Sequence, residues 1–188
     1  MPCGLLTPPM QALLAPLVAR RVVWDLGAGD LTHARLLLDL GAAGVIAVEK
    51  EWHKMPRPND PRLRPLRMYF SSVELRPIEV AFLSWPTNHN LPGLLEILGM
   101  AEIVVYLGCN IGGSACGFAD LYRELATREP LACEEHRRNT LIAYGREPRT
   151  SPMLGEEFAG LTGLWFDTVE DARAAARTFE ALVAATDA

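Results

Sequence analysis

The chain has 188 residues, 49% of them hydrophobic and 22% charged, with a formal net charge of -5. That is enough for one compact domain over residues 1–188, while 18 Lys+Arg against 23 Asp+Glu exclude the global basic field that gathers nucleic acid. No apolar run reaches the roughly 18 to 20 residues of a bilayer span, because Arg20, Arg21 and Asp39 interrupt the candidates. No membrane association is therefore expected. Pro2, Pro8, Pro9 and Pro16 break the only stretch that could act as a signal peptide, so a cytoplasmic location is expected. In that compartment Cys3, Cys109, Cys116 and Cys133 are expected as thiols, and their spacing lacks the two close pairs of a zinc site.

In chain order, Met10 to Ala19 carries apolar residues at helical spacing, and Arg21 to Leu26 turns into a continuous apolar run of strand length. Gly27-Ala28-Gly29-Asp30 punctuates it. A helix over Leu31 to Leu40, stopped by Gly41, leads to a second apolar strand, Gly44 to Glu49. Such a βαβ unit requires parallel strands and a right-handed crossover. Further strands are predicted at Leu66 to Phe70, Val80 to Ser84 and Ile103 to Leu107, with later ones at Asn139 to Tyr144 and Leu164 to Asp167. Helices are predicted at Leu91 to Leu98, Phe118 to Thr127 and, amphipathically, from Val169 to Ala185. Pro56 to Pro65, with four prolines, is expected to lack regular structure. The alternation specifies a doubly wound, mostly parallel α/β sheet with helices on both faces and a C-terminal helix. Its ligand site belongs beyond the carboxyl ends of the strands, on the loops after Leu26, Val48, Phe70, Leu83 and Leu107.

The segment Asp25-Leu26-Gly27-Ala28-Gly29-Asp30 carries the most chemistry. Gly27 and Gly29 permit a sharp turn and close approach of backbone to a ligand. Glu49, closing the second strand, can accept both hydrogen bonds of a ribose diol. A dinucleotide site wants a third glycine where Thr32 stands, and its phosphates would be repelled by Asp25 and Asp30. Two carboxylates around the turn suit a cofactor with a cationic amino group and no phosphate, which describes S-adenosylmethionine.

These segments resemble the class I S-adenosylmethionine-dependent methyltransferases. Val22 to Asp30 is similar to the family's acidic-x-Gly-x-Gly motif, and Val45 to Glu49 to its ribose-binding strand end. Thr7-Pro8-Pro9 before a helix looks like the Thr-Pro start of several members, notably adenine-modifying ones, where it lies against the methionine part of the cofactor. The resemblance implies a Rossmann-like core with a seven-strand-type sheet and cofactor contacts at Asp25, Gly27, Gly29 and Glu49, with Thr7 and Pro8 beside them. It places an adenine contact near Ser71 and Ser72.

In the same resemblance the loop after the fourth strand faces the methyl group. Here it reads Ser84-Trp85-Pro86-Thr87-Asn88-His89, with Ser84 and Pro86 in register with the amino-methylating members. Trp85 replaces the first proline of their pattern and Thr87 its aromatic residue. Catalysis requires little beyond aligning an acceptor with an already activated methyl group. Ser84 is suited to hold an acceptor N–H or O–H, Trp85 to stack on a flat substrate, and His89 to act as general base. The expected function is S-adenosylmethionine-dependent methyl transfer to an acceptor that the sequence does not identify, with a nitrogen of a planar group such as a nucleobase slightly preferred. The alternative is a binding module that retains the cofactor pocket without turnover and acts as a partner subunit. Lys50 to Arg67 holds six basic and two acidic residues, a local net of +4, and is the one candidate contact to nucleic acid.

Overall fold

A computed structural model describes residues 6–51, 55–86, 91–109, 119–136 and 139–148. In chain order the elements are α1 (Pro8–Val18), β1 (Val22–Leu26), α2 (Thr32–Asp39), β2 (Gly44–Val48) and β3 (Leu63–Leu66). A 3-10 turn (Phe70–Ser72) and β4 (Ile78–Ser84) follow, then α3 (Leu94–Gly99), β5 (Ala101–Cys109), α4 (Ala119–Ala126), β6 (Arg128–His136) and β7 (Asn139–Pro148). The seven strands form one sheet in the order β3-β2-β1-β4-β5-β7-β6. β1 to β5 pair in parallel, whereas β7 runs antiparallel to both β5 and β6.

Alternation along each strand divides the core into two layers. Trp24, Leu26, Val48, Leu83 and Tyr106 face α3 and α4, meeting Leu94, Ile97, Leu98, Leu121 and Leu125. Val23, Val45, Ala47, Phe82 and Leu107 face the other way, against Met10, Leu14 and Val18 of α1 and Ala34, Leu37 and Leu38 of α2. The α1 residues recur every four positions, the single stripe a surface helix needs. Thr7 begins that helix, its Oγ1 accepting from Met10 N at 3.5 Å, and the prolines after it occupy the positions whose missing N–H groups would have had no helical partner.

β3 begins three residues earlier than the sequence suggests and includes Pro65. It lies at the edge of the sheet. The carbonyls of Arg62 and Leu66 accept from Val45 N and Glu49 N, so the backbone of Pro65, one residue out of phase, turns away from β2. Its missing donor removes no rung of the ladder. Among the described residues the β2–β3 crossover contains no helix. Met55, 3% exposed, inserts into the α1/α2 layer in its place.

The sequence pattern predicts no strand at Arg128–His136, where β6 forms. This strand also lies at an edge, carries Pro130 at a register shift and leaves Leu131, Cys133 and Glu135 exposed, so it lacks the apolar run that marks the others. Buried Arg128 ties its start to the rest of the domain. The guanidinium donates to Leu98 O at 2.9 Å, to Ala101 O at 3.3 Å and to Glu124 Oε1 at 3.0 Å, linking the end of α3, the start of β5 and α4. The strand expected at Leu164 to Asp167 and the helix at Val169 to Ala185 lie outside the described residues.

Candidate active site

In this strand order the chain moves from β1 outward to β2 and β3, then returns to the other side of β1 as β4. That reversal opens a crevice at the carboxyl ends of the strands, the position where open α/β sheets hold ligands. A cavity of about 500 Å³ is present there, lined by Gly27, Glu49, Ser84 and Trp85 and by the aromatic pair Tyr69 and Phe70.

One rim is built from the glycine turn. Gly27 and Ala28 donate their N–H groups to Val48 O at 2.9 and 3.1 Å, anchoring the turn to the end of β2. Gly27 has φ +82°, the left-handed region that favours glycine, and the position its Cβ would take is open space. Glu49 completes the anchor: Gly29 N donates to Oε2 at 3.1 Å and Glu51 N to Oε1 at 2.9 Å. An ionised carboxylate offers about four lone-pair sites, so both oxygens keep capacity for a ligand. Asp30 accepts hydrogen bonds from Thr32, and these chiefly hold its carboxyl below the ordinary range and charged.

Asp25 differs from both. Its side chain is 1% exposed, and neither carboxylate oxygen has a hydrogen-bond partner among the described residues. Burial, followed by the charges of Glu49 and Asp30, raises its pKa to about 7. A buried carboxylate without donors is costly to the folded state. A cationic donor arriving in the crevice would relieve that cost.

No family model matches the chain, and no curated protein sequence matches it. Among solved structures, it is similar to the 1,6-didemethyltoxoflavin N1-methyltransferase of Burkholderia thailandensis, whose crystal structure holds 1,6-didemethyltoxoflavin and S-adenosylhomocysteine. The identity is 16% and the TM-score 0.54, over 73% of this chain and 76% of that one. It is similar also to the ribosomal protein L11 methylase of Lactobacillus delbrueckii subsp. bulgaricus, at 15% identity and TM-score 0.52, over 74% of this chain and 78% of that one. Both are class I methyltransferases, and the mixed seven-stranded sheet with its helices matches their α/β fold. The chain has the class I methyltransferase fold.

On this methyltransferase fold those residues singled out in the sequence that the structure describes fall into three groups. Gly27, Glu49, Ser84, Trp85 and Pro86 line one cavity. Asp25 and Gly29 are next to these in the chain but not in the lining, Asp25 being within β1 and Gly29 in the turn that Glu49 fastens. Thr7 and Pro8 are at the start of α1 and Ser72 is exposed, and none of the three is in the cavity lining; Ser71 is. His89 lies outside the described residues. Tyr69 and Phe70 join the site without having been expected from the sequence, although an aromatic pair closing the predicted third strand is a usable signal.

Of the basic segment, Lys50 lines the cavity, Arg64 and Arg67 are exposed, and Arg62 pairs with Asp60 at 2.7 Å. Among the described residues there is no group of three or more His, Cys, Asp or Glu placed to hold a metal ion. No helix among them is long and apolar enough to cross a membrane.

Proposed function

We propose that the protein is an S-adenosylmethionine-dependent methyltransferase whose acceptor is a nitrogen of a planar group, of which a nucleobase is one example. The observation that carries the cofactor reading is the buried, unpartnered carboxylate of Asp25 behind an open glycine turn. The residues present fit such a cofactor. Glu49 retains acceptor sites for ribose hydroxyls, Gly27 leaves space for close approach, and the wall with Tyr69 and Phe70 suits a purine. Asp25 supplies the counter-charge to an ammonium group.

When bound, the cofactor supplies an activated methyl group on a sulfonium sulfur. The chain's task is then alignment and proton management. Ser84 Oγ, at the end of β4 and in the cavity lining, accepts a hydrogen bond from the acceptor's N–H and so aims its lone pair. His89, three residues beyond Pro86, is assigned the acceptor's proton as general base near neutral pH. Lys50, which lines the cavity, and the exposed Arg64 and Arg67 of the same basic segment support a nucleic-acid acceptor, because they put local positive charge on an otherwise acidic chain.

Calorimetric titration with S-adenosylmethionine and S-adenosylhomocysteine, with NADH as control, tests the cofactor. Both are expected to bind and NADH is not. Glu49→Gln should weaken both by about ten-fold or more, the loss expected when a charged acceptor becomes neutral. Absence of binding to the wild type would overturn the reading. Ser84→Ala is expected to spare cofactor affinity and lower turnover, whereas cofactor binding without turnover on any planar nitrogen acceptor would favour the binding-module alternative.

A further inference from the structure

Asp25 is not the only buried polar group at this edge of the sheet that lacks a partner. The indole Nε1–H of Trp85 is buried and meets no acceptor among the described residues. Buried tryptophan N–H groups ordinarily find one, and an indole required only for packing would be served by phenylalanine. The backbone adds a second irregularity. Trp85 has φ +47°, a left-handed conformation that costs a bulky residue about 1–2 kcal/mol, and its own N–H is fixed to Leu107 O at 2.7 Å. Strain of this kind is retained where the fold must aim a side chain.

The two unpartnered groups lie on one layer. Asp25 shares its register row with Ala47 and Phe82, both of the α1/α2 layer, and Trp85, whose left-handed backbone breaks the alternation of β4, packs against that same layer. Strands β1 and β4 are adjacent, so an acceptor pair and a donor stand at neighbouring strand ends, with Gly27 and its open space on the same edge. One needs a cation and the other an acceptor. A group that carries an ammonium and a carboxylate on one carbon satisfies both.

We propose that the Asp25 carboxylate and Trp85 Nε1–H form the two halves of a clamp for an α-amino-acid group, Asp25 accepting from the ammonium and the indole donating to the carboxylate. This rests on the cofactor reading above, in which the methionyl tail supplies that group. Trp85 is thereby a cofactor-specificity residue rather than a stacking platform for the methyl acceptor.

The test compares S-adenosylhomocysteine with 5′-deoxy-5′-methylthioadenosine, which keeps the adenosine and thioether but lacks the amino-acid end. Trp85→Phe is expected to weaken S-adenosylhomocysteine about ten-fold in calorimetry and to leave methylthioadenosine within about two-fold. In wild-type protein labelled with 15N-tryptophan, the Trp85 indole signal, connected to its backbone by through-bond correlation, should move downfield with S-adenosylhomocysteine and stay in place with methylthioadenosine. That second measurement decides the matter if the variant does not fold. Equal weakening of both ligands, or an indole signal that responds equally to both, overturns the clamp and leaves the cofactor reading intact. Failure of the wild type to bind either ligand overturns both.

Discussion

Two carboxylates a few residues apart are given opposite properties by their surroundings. Asp30 is held charged by Thr32, whereas Asp25, buried and without donors, has its pKa raised to about 7. The raised value has a definite sign. The folded state keeps a proton that the unfolded chain releases near its ordinary value of 3.8. This contribution to stability is therefore complete at acid pH and lost as pH rises through about 7. Thermal unfolding should show a midpoint that falls as pH rises from about 4 to about 7 and flattens above that, with much of the fall absent in Asp25→Asn. Affinity for a cationic ligand should run the other way, tightening over the same interval as the carboxylate ionises; a flat profile in calorimetry would place Asp25 outside the site. None of this is legible from the letters Asp-Leu-Gly-Ala-Gly, because the shift depends on burial within the sheet. Glu49 is legible as a strand end, but its grip on Gly29 N–H requires the chain to turn back on itself.

The elements that read clearly are those with uninterrupted apolar runs, β1, β2, β4 and β5, along with the helix between the first two. The elements that do not are edge strands, where one side of the ladder is unused and polar residues and proline are tolerated. Pro65 argues against a strand that exists, and the exposed, polar-rich β6 gives no periodic signal at all. The 3-10 turn that forms the aromatic wall is invisible for a different reason: its position is set from outside. Gly93, with φ +86°, lies so close to that turn that a Cβ would come within 2.6 Å of the Phe70 carbonyl carbon and nearer still to Ser71 N. Gly93→Ala should destabilise the fold by about 2 kcal/mol or more, from the left-handed backbone and the overpacking together. It should also weaken adenosine ligands, since it pushes the wall; denaturant titration and calorimetry read the two effects separately. Arg128→Leu, which cuts the link among α3, β5 and α4, should cost about 3 kcal/mol in the same denaturant assay, because Glu124 and two carbonyls lose their donor.

For the molecule as a whole, charge is unevenly placed. The segment from Lys50 to Arg67 has a local net of +4 within a chain of -5. If that edge meets a phosphate backbone, retention on single-stranded polynucleotide should fall steeply with salt. Neutralising Arg64 and Arg67 should then lower the slope of log affinity against log salt by roughly 0.7 for each phosphate no longer neutralised. Unchanged retention would remove nucleic acid from consideration. The same edge carries another consequence, for how copies of the protein tolerate one another in solution. An outermost strand displays spare backbone groups to any passing chain, and a donor at residue 65 would have pointed outward with them. Proline leaves that position silent. Replacing it with valine or threonine would lengthen the usable edge without altering a single bond inside the sheet, and the resulting protein should self-associate with rising concentration in analytical ultracentrifugation while the native sequence does not.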